Sequence, residues 1–178
     1  MMEQTGEKKV PLLEMQGFRV LFPGRKGPMA AVDGVDLSIY PGEIVGVVGE
    51  SGSGKSVMSQ SILRLREYET SLRYEGSIRF EGQDLLQLPL SALRQIRGNR
   101  ISVIFQDPLT SLSPVHTVGK QMGEVLRLHK KLSRKEALER SGELLHLVGI
   151  PDPARCLRQY PYELSGGMQQ RVMIAMAL

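Results

Sequence analysis

The sequence predicts an α/β domain with a core built on a parallel sheet, a small antiparallel β unit and an α-helical subdomain. Three observations carry this. Two strand-like stretches joined by a short polar turn open the chain. Two short apolar runs, residues 44–48 and 101–105, read as strands buried on both faces, the signature of a parallel sheet. Beyond residue 118, apolar residues recur at helical spacing between recognisable start and stop signals. With 178 residues, 41% hydrophobic and 24% charged, the chain has the composition of an ordinary globular domain with a sizeable core.

Residues 1–10 are polar. Residues 12–22 alternate as a strand and stop at Pro23-Gly24, residues 25–28 turn, and residues 31–39 form a second extended stretch closed by Pro41-Gly42. Residues 44–48 then supply a β-branched core strand. Helical spacing follows over residues 55–66, with Val57, Met58, Ile62, Leu63 and Leu65 apolar. Residues 77–80 alternate and join the antiparallel unit, and residues 91–97 make a short helix. Residues 101–105 are the second core strand, stopped by Asp107-Pro108. Residues 118–128 carry one apolar helical face. Ser133-Arg134-Lys135-Glu136 is a capping box opening a helix that runs to Val148 and ends at Gly149, with Pro151 just after. A short helix covers residues 153–159, and Gly166 begins the last one, where Met168, Val172, Met173 and Met176 recur as a core face. The expected division is a core with its antiparallel unit over 1–107, a helical subdomain over 108–163, and a return toward the core over 164–178.

The net charge is +4, and its basic residues are scattered as Lys8-Lys9, Arg25-Lys26, Lys130-Lys131 and Arg134-Lys135, a solvated surface rather than a nucleic-acid face. One cysteine, Cys156, forbids an internal disulfide, and with His116, His129 and His146 so widely spaced it makes no zinc pattern. The N-terminus lacks the apolar stretch of a signal peptide. No apolar run reaches the roughly 18 residues of a membrane span, so a membrane role is expected to pass through a partner.

Gly49-Glu50-Ser51-Gly52-Ser53-Gly54-Lys55-Ser56 fits G-x-x-x-x-G-K-[ST] between an apolar strand and a helix. A loop that wraps a phosphate must turn its amides inward, and Gly49, Gly52 and Gly54 allow that path. The following helix aims unpaired amides and its positive dipole end at the same anion. Lys55 adds a charge toward the β- and γ-phosphates, and Ser56 a hydroxyl for Mg²⁺. The alternative is a glycine-rich turn with no ligand. A second stretch, Leu164-Ser165-Gly166-Gly167-Met168-Gln169-Gln170, is by itself a serine-capped helix start whose amides form another anion site.

Taken in order, the phosphate loop, a strand ending in Phe105-Gln106-Asp107, a helical segment and Leu-Ser-Gly-Gly resemble the ATP-binding-cassette (ABC) ATPases over nearly the whole chain from about residue 12. The loop, the stretch from Phe105 to Pro114 and Tyr160-Pro161-Tyr162-Glu163-Leu164-Ser165-Gly166-Gly167-Met168 are similar to the importer branch for oligopeptides, dipeptides and nickel. The resemblance implies a P-loop NTPase core and an ATPase that couples ATP and Mg²⁺ to solute uptake. It implies that Phe22 stacks on adenine, although a strand-end core residue is the other reading. Gln106 would contact Mg²⁺ and the attacking water, and Ser165, Gly166 and Gly167 would touch the γ-phosphate bound by an opposite subunit. Glu163 would face the membrane partner or solvent. The partners implied are a second ABC ATPase subunit, identical or related, integral membrane permease subunits docked on the helical subdomain, and indirectly a solute-binding protein. The site of action would be peripheral, on the cytoplasmic face of the inner membrane.

The family pattern continues with an apolar strand ending in aspartate, a catalytic glutamate and a later histidine, which do not occur before Leu178. The expectation is therefore an incomplete ABC ATPase domain that binds ATP with little or no turnover. Two other classes compete with this one. A nucleic-acid-processing ABC ATPase would need a long coiled coil or zinc modules, and the residues between Lys55 and Leu164 offer neither sustained heptads nor enough cysteines. A non-catalytic nucleotide-binding module stays open.

Overall fold

The computed structural model describes residues 10–25, 27–66, 72–106 and 111–178. The chain forms two compact units, Met1–Arg94 and Gln95–Leu178.

The first unit is built on a four-stranded antiparallel sheet in the order β2-β1-β3-β4, comprising β1 (Leu13–Phe22), β2 (Met29–Ile39), β3 (Arg73–Phe80) and β4 (Gln83–Asp84). Strand β1 pairs with β2 from Leu13↔Ile39 to Phe22↔Met29, and with β3 from Leu13↔Phe80 to Leu21↔Arg73. Its buried residues change phase: Leu13 and Met15 point inward, then Phe18 and Val20. A strict two-residue period would have sent Phe18 outward. The shift is absorbed by a bulge at Gly17, where both ladders slip, φ is +53° and the amide donates to Asp36 Oδ1 at 2.7 Å. Opposite the bulge stands Gly76, at φ +79°. A Cβ there would lie 2.5 Å from the carbonyl oxygens of Gln16 and Gly17. Below the sheet Phe18 and Tyr74 stack at 6.1 Å.

Helix α1 (Lys55–Ile62) follows the glycine loop. It is shorter than its apolar spacing predicted, because Leu63 leaves helical geometry and Arg64 takes a left-handed φ of +49°. The Arg64 guanidinium donates to the carbonyls of Leu88 at 2.6 Å and Leu85 at 3.3 Å, and so fixes the exit from the helix. Helix α2 (Leu90–Ile96) is the predicted short helix.

The parallel sheet expected from residues 44–48 and 101–105 is not formed among the described residues. Residues 44–48 enter no ladder, and Ile44 and Val48 are 100% and 93% exposed. Residues 101–105 make only the isolated bridge Arg97↔Ile101, and Ile104 and Phe105 are exposed. A strand exists only with a neighbour that takes its amides and carbonyls. Apolar β-branched composition reports a preference for that setting, and neither run joins a ladder among the described residues. The stop at Asp107-Pro108 lies outside the described residues.

The second unit is helical: α3 (Val118–Lys130), α4 (Arg134–Leu147), α5 (Pro153–Arg158), a 3-10 turn (Pro161–Glu163) and α6 (Gly166–Ala177). Each helix starts on a side-chain oxygen. Thr117 accepts from Lys120 N, Ser133 from Glu136 N, Asp152 from Arg155 N and Ser165 from Met168 N. The capping box is complete, since Glu136 Oε2 accepts from Ser133 N at 2.8 Å. Gly149, at φ +76°, ends α4, and Arg171 of α6 donates to its carbonyl at 2.7 Å. The core joins Val118, Met122, Leu145, Ile150, Cys156 and Val172, with Met173 buried and Met168 and Met176 packed against it. Burial pushes the Cys156 thiol up, aided by the Asp152 carboxylate, so it is a core side chain rather than a nucleophile. No helix among the described residues is long and apolar enough to cross a membrane.

Two outcomes follow from these contacts. Gly76→Ala must distort the bulge or the carbonyls it meets, and is expected to lower stability by about 1–3 kcal/mol in denaturant unfolding. The Glu136 carboxyl is held below the ordinary carboxylate range by hydrogen bonding to the Ser133 side chain and then to its backbone. A group lowered on folding contributes stability that is complete above its unfolded pKa and is lost as pH falls through the folded one. Glu136→Gln should therefore flatten the acid limb of a stability-versus-pH curve while leaving its neutral-pH shape intact.

Candidate functional site

The glycine loop is shaped by how closely it packs on β2. A Cβ on Gly54 would fall on the carbonyl oxygen of Ala31, so no residue with a side chain fits there at the observed φ of +90°. Gly52 is left-handed as well, at φ +81°. A Cβ on Gly49 would sit 2.7 Å from Ser53 Oγ. Between these points Ser53 N donates to Glu50 O at 3.2 Å and closes the turn, and Glu50, Ser51 and Ser53 are exposed.

Unlike α3 to α6, α1 begins without a side-chain cap: Gly54 occupies the N-cap, and the first helical bond is Met58 N to Gly54 O at 2.8 Å. The first-turn donors are thus left for an incoming acceptor. Lys55 folds back over the loop, its ammonium donating to the carbonyls of Gly49 and Glu50 at 2.7 Å each and to Ser53 Oγ at 3.3 Å. Ser56 is exposed in the same first turn. Beside the loop a groove of about 540 Å³ runs between it and β2, lined by Ala31, Val35, Leu37, Val47 and Met58.

Phe22 ends β1 opposite Met29, two residues along β2 from Ala31. At about 3.3 Å per residue and roughly 5 Å between strands, its backbone lies on the order of 10 Å from the loop. It is half-buried, with the Arg66 guanidinium 5.4 Å from the ring centroid. The first unit thus brings together Phe22 and residues 49–56.

Gln106 and residues 165–167 belong to the second unit. Gln106 is exposed. Ser165 caps α6, and Gly166 and Gly167 face open space at its uncrowded N-terminus. The start of this helix is anchored by a residue that the sequence reading missed. Gln169 is buried, and its Nε2 donates to the carbonyls of Pro161 at 2.8 Å and Leu164 at 3.2 Å, while Oε1 has no partner among the described residues. The only sequence signal was a polar residue among apolar ones on the core-facing side of α6. Just before the helix, Tyr160 and Tyr162 stack at 5.5 Å, and Glu163 Oε2 accepts from Tyr160 N at 2.7 Å rather than being wholly solvated.

The donor chemistry fits a magnesium triphosphate. The loop is a backbone cradle that a Cβ would fill, its lysine supplies a positive charge, and the exposed Ser56 hydroxyl in the first turn of α1 offers the kind of hard oxygen Mg²⁺ prefers.

Comparison with known proteins gives the family. The chain is 50% identical over 98% of its length to a probable peptide ABC transporter ATP-binding protein of Sinorhizobium fredii, of which it spans 52%. It is 51% identical over 94% of its length to a peptidoglycan transport ATP-binding protein of Agrobacterium fabrum, of which it spans 31%. Among solved structures it matches a dimeric ATP-binding cassette in a post-hydrolysis state bound to ADP and Pi, with a TM-score of 0.80 and 29% identity over 93% of this chain and 68% of that one. The chain thus spans about half, or less, of the curated relatives it matches. The family model described as ABC transporter matches residues 32–178, and with these likenesses it follows that the chain belongs to the ABC transporter ATP-binding family.

Proposed function

We propose that these residues form the ATP-binding part of an ABC importer subunit that couples ATP binding and hydrolysis to solute uptake. One observation carries the reading: a glycine cradle at a helix start without a side-chain cap, with Lys55 bent over its mouth. The names of relatives favour a peptide as solute over a nickel-type one.

In this reading Gly49, Glu50, Ser51, Gly52, Ser53 and Gly54 surround the phosphates with backbone amides, and Lys55 exchanges its loop carbonyls for β- and γ-phosphate oxygens. Ser56, and by family resemblance Gln106, would hold Mg²⁺, which would supply a divalent positive charge against that of the phosphates. Phe22 stacks on the adenine. Ser165, Gly166 and Gly167 present the α6 N-terminus to the ATP of a second cassette, identical or related. Each site is then shared, and the dimeric cassette among the structural relatives supports that arrangement. Hydrolysis is a property of the assembled transporter, and ATP binding is the activity assigned to the loop itself.

The helical segment, about residues 108–163, takes the permease subunits in this reading. A groove of about 680 Å³ between α3 and α4, floored by Gly123, Ala137 and Leu157 and edged by Lys120, Arg127 and Arg134, is the candidate seat. The subunit then works peripherally on the cytoplasmic face of the membrane, with a solute-binding protein on the far side.

The test is calorimetric titration of Mg-ATP into the purified chain. Lys55→Ala removes a charge-assisted contact and is expected to weaken binding about 10- to 100-fold. Gly54→Ala should do at least as much, by pushing the loop off Ala31. Unchanged affinity in Lys55→Ala, with circular dichroism like the parent, would overturn the assignment.

A further inference from the structure

Arg66 is not part of any motif, yet it is held against a residue of the proposed nucleotide site. Its guanidinium lies over the Phe22 ring, 5.4 Å from the centroid. The approach is set by the backbone: Arg64 leaves α1 in a left-handed conformation and is tied to Leu85 and Leu88, which directs the chain, two residues on, back toward the end of β1. Phe22 in turn stands at the open end of the β1–β2 pair, near the phosphate loop.

An aromatic face accepts flat partners. A guanidinium is planar, delocalised and weakly hydrated, so it stacks on a ring as a nucleobase does. One face cannot hold both. We propose that Arg66 and the base of the nucleotide compete for the same face of Phe22, which makes Arg66 a positioning and selectivity residue of the site. This rests on the reading of Phe22 as the base platform given above. A base must displace the guanidinium before it can stack. A purine, with two fused rings, replaces the lost contact more fully than a pyrimidine does. The competition therefore favours adenine over small bases, and it leaves the phosphate contacts untouched.

The experiment compares Mg-ATP, Mg-UTP and magnesium tripolyphosphate, which has no base, by calorimetry on the full chain and on Arg66→Ala, Arg66→Lys and Phe22→Ala. Affinities are read as ratios to tripolyphosphate, so a general loss of positive charge cancels. Arg66→Ala is expected to raise the ATP-to-tripolyphosphate ratio about two- to fivefold, the size of a part-exposed cation–π contact. It should raise the UTP ratio more, with Arg66→Lys in between. Phe22→Ala should lower both nucleotide ratios toward one. An unchanged or lowered ATP ratio in Arg66→Ala, while Phe22→Ala still lowers it, removes the competition and leaves the platform standing. A Phe22→Ala ratio equal to the parent's removes the platform itself, and the competition with it.

Discussion

The contact on which the nucleotide unit depends is the backbone-to-backbone approach of Gly54 to the Ala31 carbonyl. It brings the loop onto β2 and leaves α1 to start on a residue that cannot cap it with a side chain. It also brings Lys55 within reach of the loop's own carbonyls. Because Ala31 is close in the ladder to Met29, and Met29 faces Phe22, the same contact sets how far the aromatic ring lies from the glycine loop. One missing methyl group thus couples sheet, loop and helix, and any side chain at position 54 would part them.

The helical unit solves the opposite problem. Its helices are closed by Thr117, Ser133, Asp152 and Ser165, so their first-turn amides are partly satisfied within the chain. In α6 the cap leaves room: Ser165 bonds a single amide, while Gly166 and Gly167 face open space and expose the remaining backbone. Gln169 holds the turn before the helix from inside, through two carbonyls. The first unit thus has an uncapped helix start with a lysine bent over it, and the second a lightly capped one without a lysine.

Much of this was legible in the sequence, where local chemistry decides local structure. The capping box, the stop at Gly149, the β1–β2 pair and the glycine loop all depend on residues within a few positions of each other. What could not be read was partnership. Residues 44–48 have the composition of a buried strand, but pairing needs a neighbour that composition does not name, and in the described residues Ile44 and Val48 face outward. Arg66, Arg64 and Gln169 escaped for the same reason: each acts on groups brought close by the fold, over separations no periodicity records.

The bulge at Gly17 reaches further than the strand that carries it. Counting by twos from Leu13 and Met15 gives odd positions, yet Phe18 and Val20 are the buried ones, and Phe22 continues their even series. The proposed base platform therefore owes its side of the sheet to one surplus residue five positions upstream. Removing that residue would change the parity of everything after it, so that an aromatic group kept in the sequence would be turned away from its ligand. Strand β1 is in this sense two reading frames spliced in space, and the splice decides which side of the sheet the ring occupies.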